Sequence, residues 1–74
     1  PMPRDDWENW SPIETAPKDG TAVRAAHFAN RYFCDWVCVA SFRLSRNGVK
    51  PNWLEVDESR GEVFLIPSHW QPLD

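Results

Sequence analysis

A chain of 74 residues makes one small domain with room for a single modest core. Its formal net charge of −3, with lysine and arginine scattered along the sequence, argues against a protein that binds nucleic acid directly, which needs a basic face. No stretch approaches ~20 consecutive apolar residues and no signal-peptide pattern opens the chain, so the expectation is a soluble, cytoplasmic protein without a membrane partner.

Residues 1–9 read as a polar N-terminal arm, with Met2 as the natural start and Pro1 as a remnant of expression; residues 10–74 read as a single small β domain. Five tryptophans, four phenylalanines and one tyrosine supply the core density that so short a chain needs, since each ring buries roughly 150–250 Å². Oligomerisation is a second way to make up a small core. The run Trp10-Ser11-Pro12-Ile13-Glu14-Thr15-Ala16-Pro17-Lys18-Asp19-Gly20-Thr21 carries the densest local signals. Ser11 followed by Glu14 has capping-box spacing, and Pro12 suits a first helical position. Pro17 forces Ala16 out of the helical region, so at most one short helical turn forms near residues 12–15. Asp19-Gly20 then marks a turn in which glycine supplies a positive φ.

Residues 21–28 read as a weak strand, with Val23, Ala25 and His27 on one side and Ala22, Ala26 and Phe28 on the other. Residues 29–31 turn it. Residues 32–44 give the strongest strand signal: Tyr32, Cys34, Trp36, Cys38, Ala40, Phe42 and Leu44 share one face, and Phe33, Asp35, Val37 and Val39 the other. A helix is the rival reading, and the density of β-branched and aromatic residues favours the strand. Asn47-Gly48 signals a hairpin, and residues 52–56 return with Trp53 and Leu54 on opposite faces. Residues 57–61 make a second turn, and the nearly continuous apolar run at 62–66 predicts a well-buried strand. The last residues are too proline-rich to be regular, with Trp70 packing back on the sheet. The fold class is therefore mainly β: a small antiparallel sheet of three to five strands, a meander that can curl toward a barrel.

Cys34 and Cys38, four apart on a strand, have α-carbons roughly 13 Å apart, beyond disulfide reach, so they read as buried free thiols. With His27 and His69 they make an arithmetical set of four zinc ligands, but the spacing is wrong for a zinc site, and no metal or cofactor is expected. His69 beside Glu14 resembles a base and its orienter, yet nothing marks a nucleophile. Catalysis is left open with no positive signal and no catalytic residue assigned.

The opening run resembles that of a family of short uncharacterised phage and prophage proteins, which begin with a tryptophan followed by Pro-Ile-Glu-Thr-Ala-Pro-Lys-Asp-Gly. Those proteins close on Thr-His-Trp and a Pro-Leu pair, to which Ser68-His69-Trp70-Gln71-Pro72-Leu73 is similar. Ser68 departs from the usual threonine, and no second proline follows Leu73. The family has no established reaction, so the resemblance implies a mobile-element setting and a small β fold. Within it, Trp10, Pro12, Glu14, Pro17, Asp19, Gly20, His69 and Trp70 form the structural motif, with Trp10 and Trp70 expected in one aromatic cluster that closes the core. His69 is expected to hold the Glu14 carboxylate or a backbone carbonyl. The function expected is non-catalytic binding of a host protein, with inhibition of a bacterial defence system as one form of it. Trp7, Trp36 and Trp53 with the acidic pair Asp57 and Glu58 are the candidate contact residues. The alternative is an aromatic-lined pocket for a nucleotide-like ligand.

Overall fold

A computed structural model describes residues 7–73, with side chains from Glu8 onward. Residues 1–6, most of the expected arm, and the side chain of Trp7 lie outside the described residues. The chain forms one antiparallel sheet of six strands: β1 (Ser11–Pro12), β2 (Val23–Asn30), β3 (Phe33–Arg43), β4 (Asn52–Glu55), β5 (Phe64–Leu65) and β6 (His69–Gln71). Their order across the sheet is β1-β6-β2-β3-β4-β5. The sequence places β3 and β4 to within one residue at each end and β2 to within two. The count reaches six because the proline-rich C-terminus, expected to be irregular, forms β6, and because Ser11–Pro12 forms an edge strand beside it; β5 lies within the strand expected at 62–66, shortened to two residues.

β1 replaces the expected helix cap. Ser11 pairs with Trp70 and Pro12 with His69, and Pro12 lacks only an N–H that an edge strand does not need. The 3-10 turn starts one residue later, at Ile13–Thr15, without a side-chain cap, and Thr15 Oγ1 donates instead to the Pro12 carbonyl at 2.7 Å. A second 3-10 turn covers Trp7–Asn9. Gly20 adopts the positive φ expected of it, 91°, and Asp19 Oδ1 accepts from both the amide and the hydroxyl of Thr21. Asn47-Gly48 acts differently. Gly48 has no positive φ and donates to the Ser45 carbonyl, so a longer loop, 44–51, joins β3 to β4.

The sheet curls. β5 and β6 are joined by residues 66–68 alone, a reach of about 14 Å, while four strand spacings in a flat sheet need about 19 Å. The chain can make the connection only if the sheet bends, and it bends without closing into a barrel. The concave face carries the larger cluster, Ala16, Val23, Ala25, Ala40 and Trp53, with Ile13, Trp36, Phe42, Leu65 and Trp70 packed against it. Fully buried Ala25 is what lets the Trp70 ring stand beside it on the neighbouring strand. The convex face carries a second cluster, Trp10, Ala26 and Phe28, with Cys34 against it.

Three expectations differ from the structure. Trp10 and Trp70 do not share a cluster: Ser11 pairs with Trp70, so Trp10 points to the opposite face, where its ring meets Phe28 edge-on at 5.9 Å. The two termini do meet, each sealing a different side. The strict alternation of β3 also fails. His27 pairs with Trp36 but Phe28 with Cys34, so Asp35 is an extra residue in a β-bulge. The bulge sends Cys34 to the convex cluster while Trp36 and Cys38 stay concave. The run at 62–66 is likewise no buried strand: Phe64 is 56% and Ile66 85% exposed.

Candidate functional site

The terminal motifs interlock around Ser68. Its N–H donates to the Ala26 carbonyl at 2.8 Å, its carbonyl accepts from Ile13 N–H at 3.0 Å, and its Oγ accepts from Phe28 N–H at 3.0 Å. The same oxygen lies 2.7 Å from His69 Nδ1. Because the Phe28 amide occupies a lone pair, the hydroxyl is free to donate to the ring, which makes Ser68 a structural hub. Burial pushes the His69 pKa down, Glu14 pulls the other way and His27 adds to the lowering. His69 also meets Phe28 edge-on at 5.2 Å. Trp70 Nε1–H donates to Thr15 Oγ1 and Gln71 to the Asn9 carbonyl, completing the stitching of C-terminus to N-terminus. Ala16 and Pro17 sit at least half-buried on the concave side, and Lys18 Nζ lies over the Phe42 ring.

Of the expected contact residues, Trp7 has its side chain outside the described residues, and Trp36, Trp53, Asp57 and Glu58 do not form one surface. Trp53 is 8% exposed in the concave core. Asp57 and Glu58 are exposed in the turn after β4. Asp57 Oδ1 accepts from Ser59 N–H, and Glu58 pairs with Arg43 at 3.2 Å and Arg46 at 3.6 Å. Trp36 borders a cavity. Between it and β5 lies an open groove of about 510 Å³ lined by His27, Asp35, Trp36, Phe64, Leu65 and Ile66. A smaller compartment of about 260 Å³ continues past Trp36 and Leu65 to Cys38, Glu55 and Arg60. Trp36 on β3 and Leu65 on β5 belong to strands separated by β4, and the curl draws them toward each other. His27 stacks near-parallel on Trp36, with centroids 6.3 Å apart, and its Nδ1 stands 3.3 Å from Asp35 Oδ2. The bulge aims Asp35 here. Sequence periodicity placed Asp35 on the other face and gave no signal for its meeting His27.

The outer side presents a different surface. Val37 (39% exposed), Val39 (38%), Val56 (44%) and Phe64 (56%) form a contiguous strip. Val56 N–H donates to the Val39 carbonyl, and Phe64 pairs with Leu54, two residues from Val56. Arg24 flanks the strip opposite Val39, and Asp57 and Glu58 follow Val56. Among the described residues, no group of three or more His, Cys, Asp or Glu side chains could hold a metal ion, and no helix is long and apolar enough to cross a membrane. No family model, curated protein or solved structure matches the chain.

Proposed function

We propose that this domain is a non-catalytic protein-binding module of phage or prophage type, working inside a bacterial host cell, and that its target is a host protein such as a defence-system component. The observation that carries the binding reading is the strip Val37, Val39, Val56 and Phe64, with its rim of Arg24, Asp57 and Glu58. A contiguous apolar patch with a charged rim on so small a chain is the mark of an interaction surface. The mobile-element setting rests on the resemblance of residues 10–21 and 68–73 to the phage family's two ends.

The test is affinity capture from a host lysate with the wild type and a Val39→Glu variant, read by mass spectrometry. Val39 is exposed enough for the variant to keep its circular-dichroism spectrum. A host protein enriched by the wild type and lost with the variant supports the reading; identical recovery by both, or background alone, refutes it. The groove beside Trp36 is the feature that favours the alternative, a nucleotide-like ligand. A thermal shift with nucleotides, alongside empty captures, would move the assignment there.

A further inference from the structure

We propose that the groove between Trp36 and β5 receives a cationic side chain of the partner, arginine in preference to lysine, carried on an extended segment. The proposal rests on the protein-binding reading above and names the chemistry of what is bound. One wall is the half-buried Trp36 ring and the other is Leu65 with exposed Ile66, so the methylene stem of a long side chain is covered on both sides. At the end of the groove stands Asp35. Its single ring partner, His27, lies at 3.3 Å, long against the 2.7–2.9 Å of a charge-assisted bond. Oδ2 is engaged at that length, and Asp35 lines the groove, so the carboxylate keeps acceptor capacity for a bidentate donor.

Charge selects the occupant. Among the described residues, the carboxylates along the groove are Asp35 and Glu55; Arg60 lines the Glu55 compartment and offsets it, leaving the Asp35 end negative. A phosphate group would enter against Asp35, which disfavours nucleotides although a base could stack on Trp36. A planar guanidinium both stacks on an indole face and forks onto a carboxylate, which a lysine ammonium cannot do. The volume, about 510 Å³, exceeds one side chain and leaves space for the flanking backbone.

The probe is the peptide Ac-Ala-Arg-Ala-NH2 titrated into the ¹⁵N-labelled full chain, compared with the same peptide carrying lysine or the neutral isostere citrulline. Saturable shifts of the Trp36 indole N–H and of the Asp35 and Leu65 amides are expected. Affinity should fall several-fold with lysine and about tenfold or more with citrulline, and should weaken with added salt. Asp35→Asn, at an exposed position, should leave the amide spectrum of the rest of the chain intact and cost about tenfold. Equal binding of citrulline, unchanged affinity in Asp35→Asn, shifts that map to Val39 and Val56, no saturation by 10 mM (on the order of the weakest specific contacts), or tighter binding of guanosine monophosphate would each overturn it. Val39→Glu separates the two readings. If that variant loses host-protein capture while arginine titration of the wild type fails, the groove assignment falls and the protein-binding reading stands. If arginine binds the groove but capture is indifferent to Val39→Glu, the convex strip falls instead.

Discussion

The indole of Trp10 is 7% exposed, and among the described residues its Nε1–H has no hydrogen-bond partner. That makes Trp10 a side chain that stabilises by burial and costs by an orphaned donor, and two substitutions separate the terms. Trp10→Ala removes the ring from the convex cluster, taking away its edge-on contact with Phe28, and should cost about 3–5 kcal/mol. A chain of this length has on the order of 4–11 kcal/mol in total, so the variant is near unfolding at room temperature, with Tm lower by at least about 12 °C. Trp10→Phe keeps a ring against Phe28 and deletes the N–H. The lost ring atoms cost about 2 kcal/mol, and relief of the unsatisfied donor returns about 1–3 kcal/mol. The net should lie within about 1 kcal/mol of wild type. Urea unfolding followed by circular dichroism measures both. A Trp10→Phe loss as large as that of Trp10→Ala would mean that the indole N–H makes a bond in solution, and the reasoning would fail.

Gly20 and Gly61 have φ of 91° and 88° with nothing near an added Cβ, so alanine at either should cost about 1–2 kcal/mol by backbone strain alone. Gly48→Ala brings its Cβ to 2.6 Å from Ser45 Oγ, the end of a side chain that can rotate, and to 3.2 Å from the Ser45 backbone nitrogen, which must give by a few tenths of an ångström, and should cost about 1 kcal/mol in the same urea assay. The folded-state pKa of His69 is depressed, so the folded state resists protonation that the unfolded chain accepts. The associated stability is complete above the unfolded value of about 6.5 and is lost as pH falls from there through the lower folded value. Tm should drop between pH 7.5 and 5.5, and His69→Gln should flatten that part of the curve; an unchanged slope would count against it. Burial, with Glu55 adding to it, pushes the Cys38 thiol up, so mass spectrometry should find Cys38 alkylated more slowly by iodoacetamide at pH 8 than an unstructured cysteine. Alkylation at the unstructured rate would refute this.

What the sequence discloses is whatever one strand decides by itself. The period-two pattern from Val23 to Phe28 and the aromatic and β-branched run in β3 identify two central strands, because side-chain alternation is local. The positive φ at Gly20 is legible for the same reason. The missing features depend on residues far apart. β1 exists only because β6 pairs with it, and neither Ser11-Pro12 nor His69-Trp70-Gln71, set between Pro67 and Pro72, has strand propensity that outweighs the prolines in or beside it. Asp35 reaches His27 through a bulge, and a single extra residue inverts the face of everything before it, which is why Cys34 falls on the opposite side from Cys38. The groove is harder still: Trp36 and Leu65 belong to strands separated by β4, and only the curl brings them together. The terminal motifs were readable as a unit, while the side of the sheet each tryptophan takes follows from the Ser11–Trp70 register.

That curl has two candidate causes, and they predict different behaviour. Residues 66–68 are too few to span a flat sheet, so the link demands bending; the concave cluster of Trp36, Trp53, Leu65 and Trp70 rewards it. Inserting two glycines between Ile66, which is 85% exposed, and buried Pro67 lengthens the link without touching a core side chain or the bonds of Ser68. Loop entropy alone charges about 0.5 kcal/mol for going from three residues to five. Burial of Leu65 and its neighbours is worth several times that, so the insertion should cost about 0.5–1 kcal/mol in urea unfolding and leave Trp36 fluorescence unshifted. A loss above about 2 kcal/mol with a red-shifted Trp36 would show that the tether holds the curl. In that case the groove would be a consequence of link length, and any substitution lengthening residues 66–68 would abolish it.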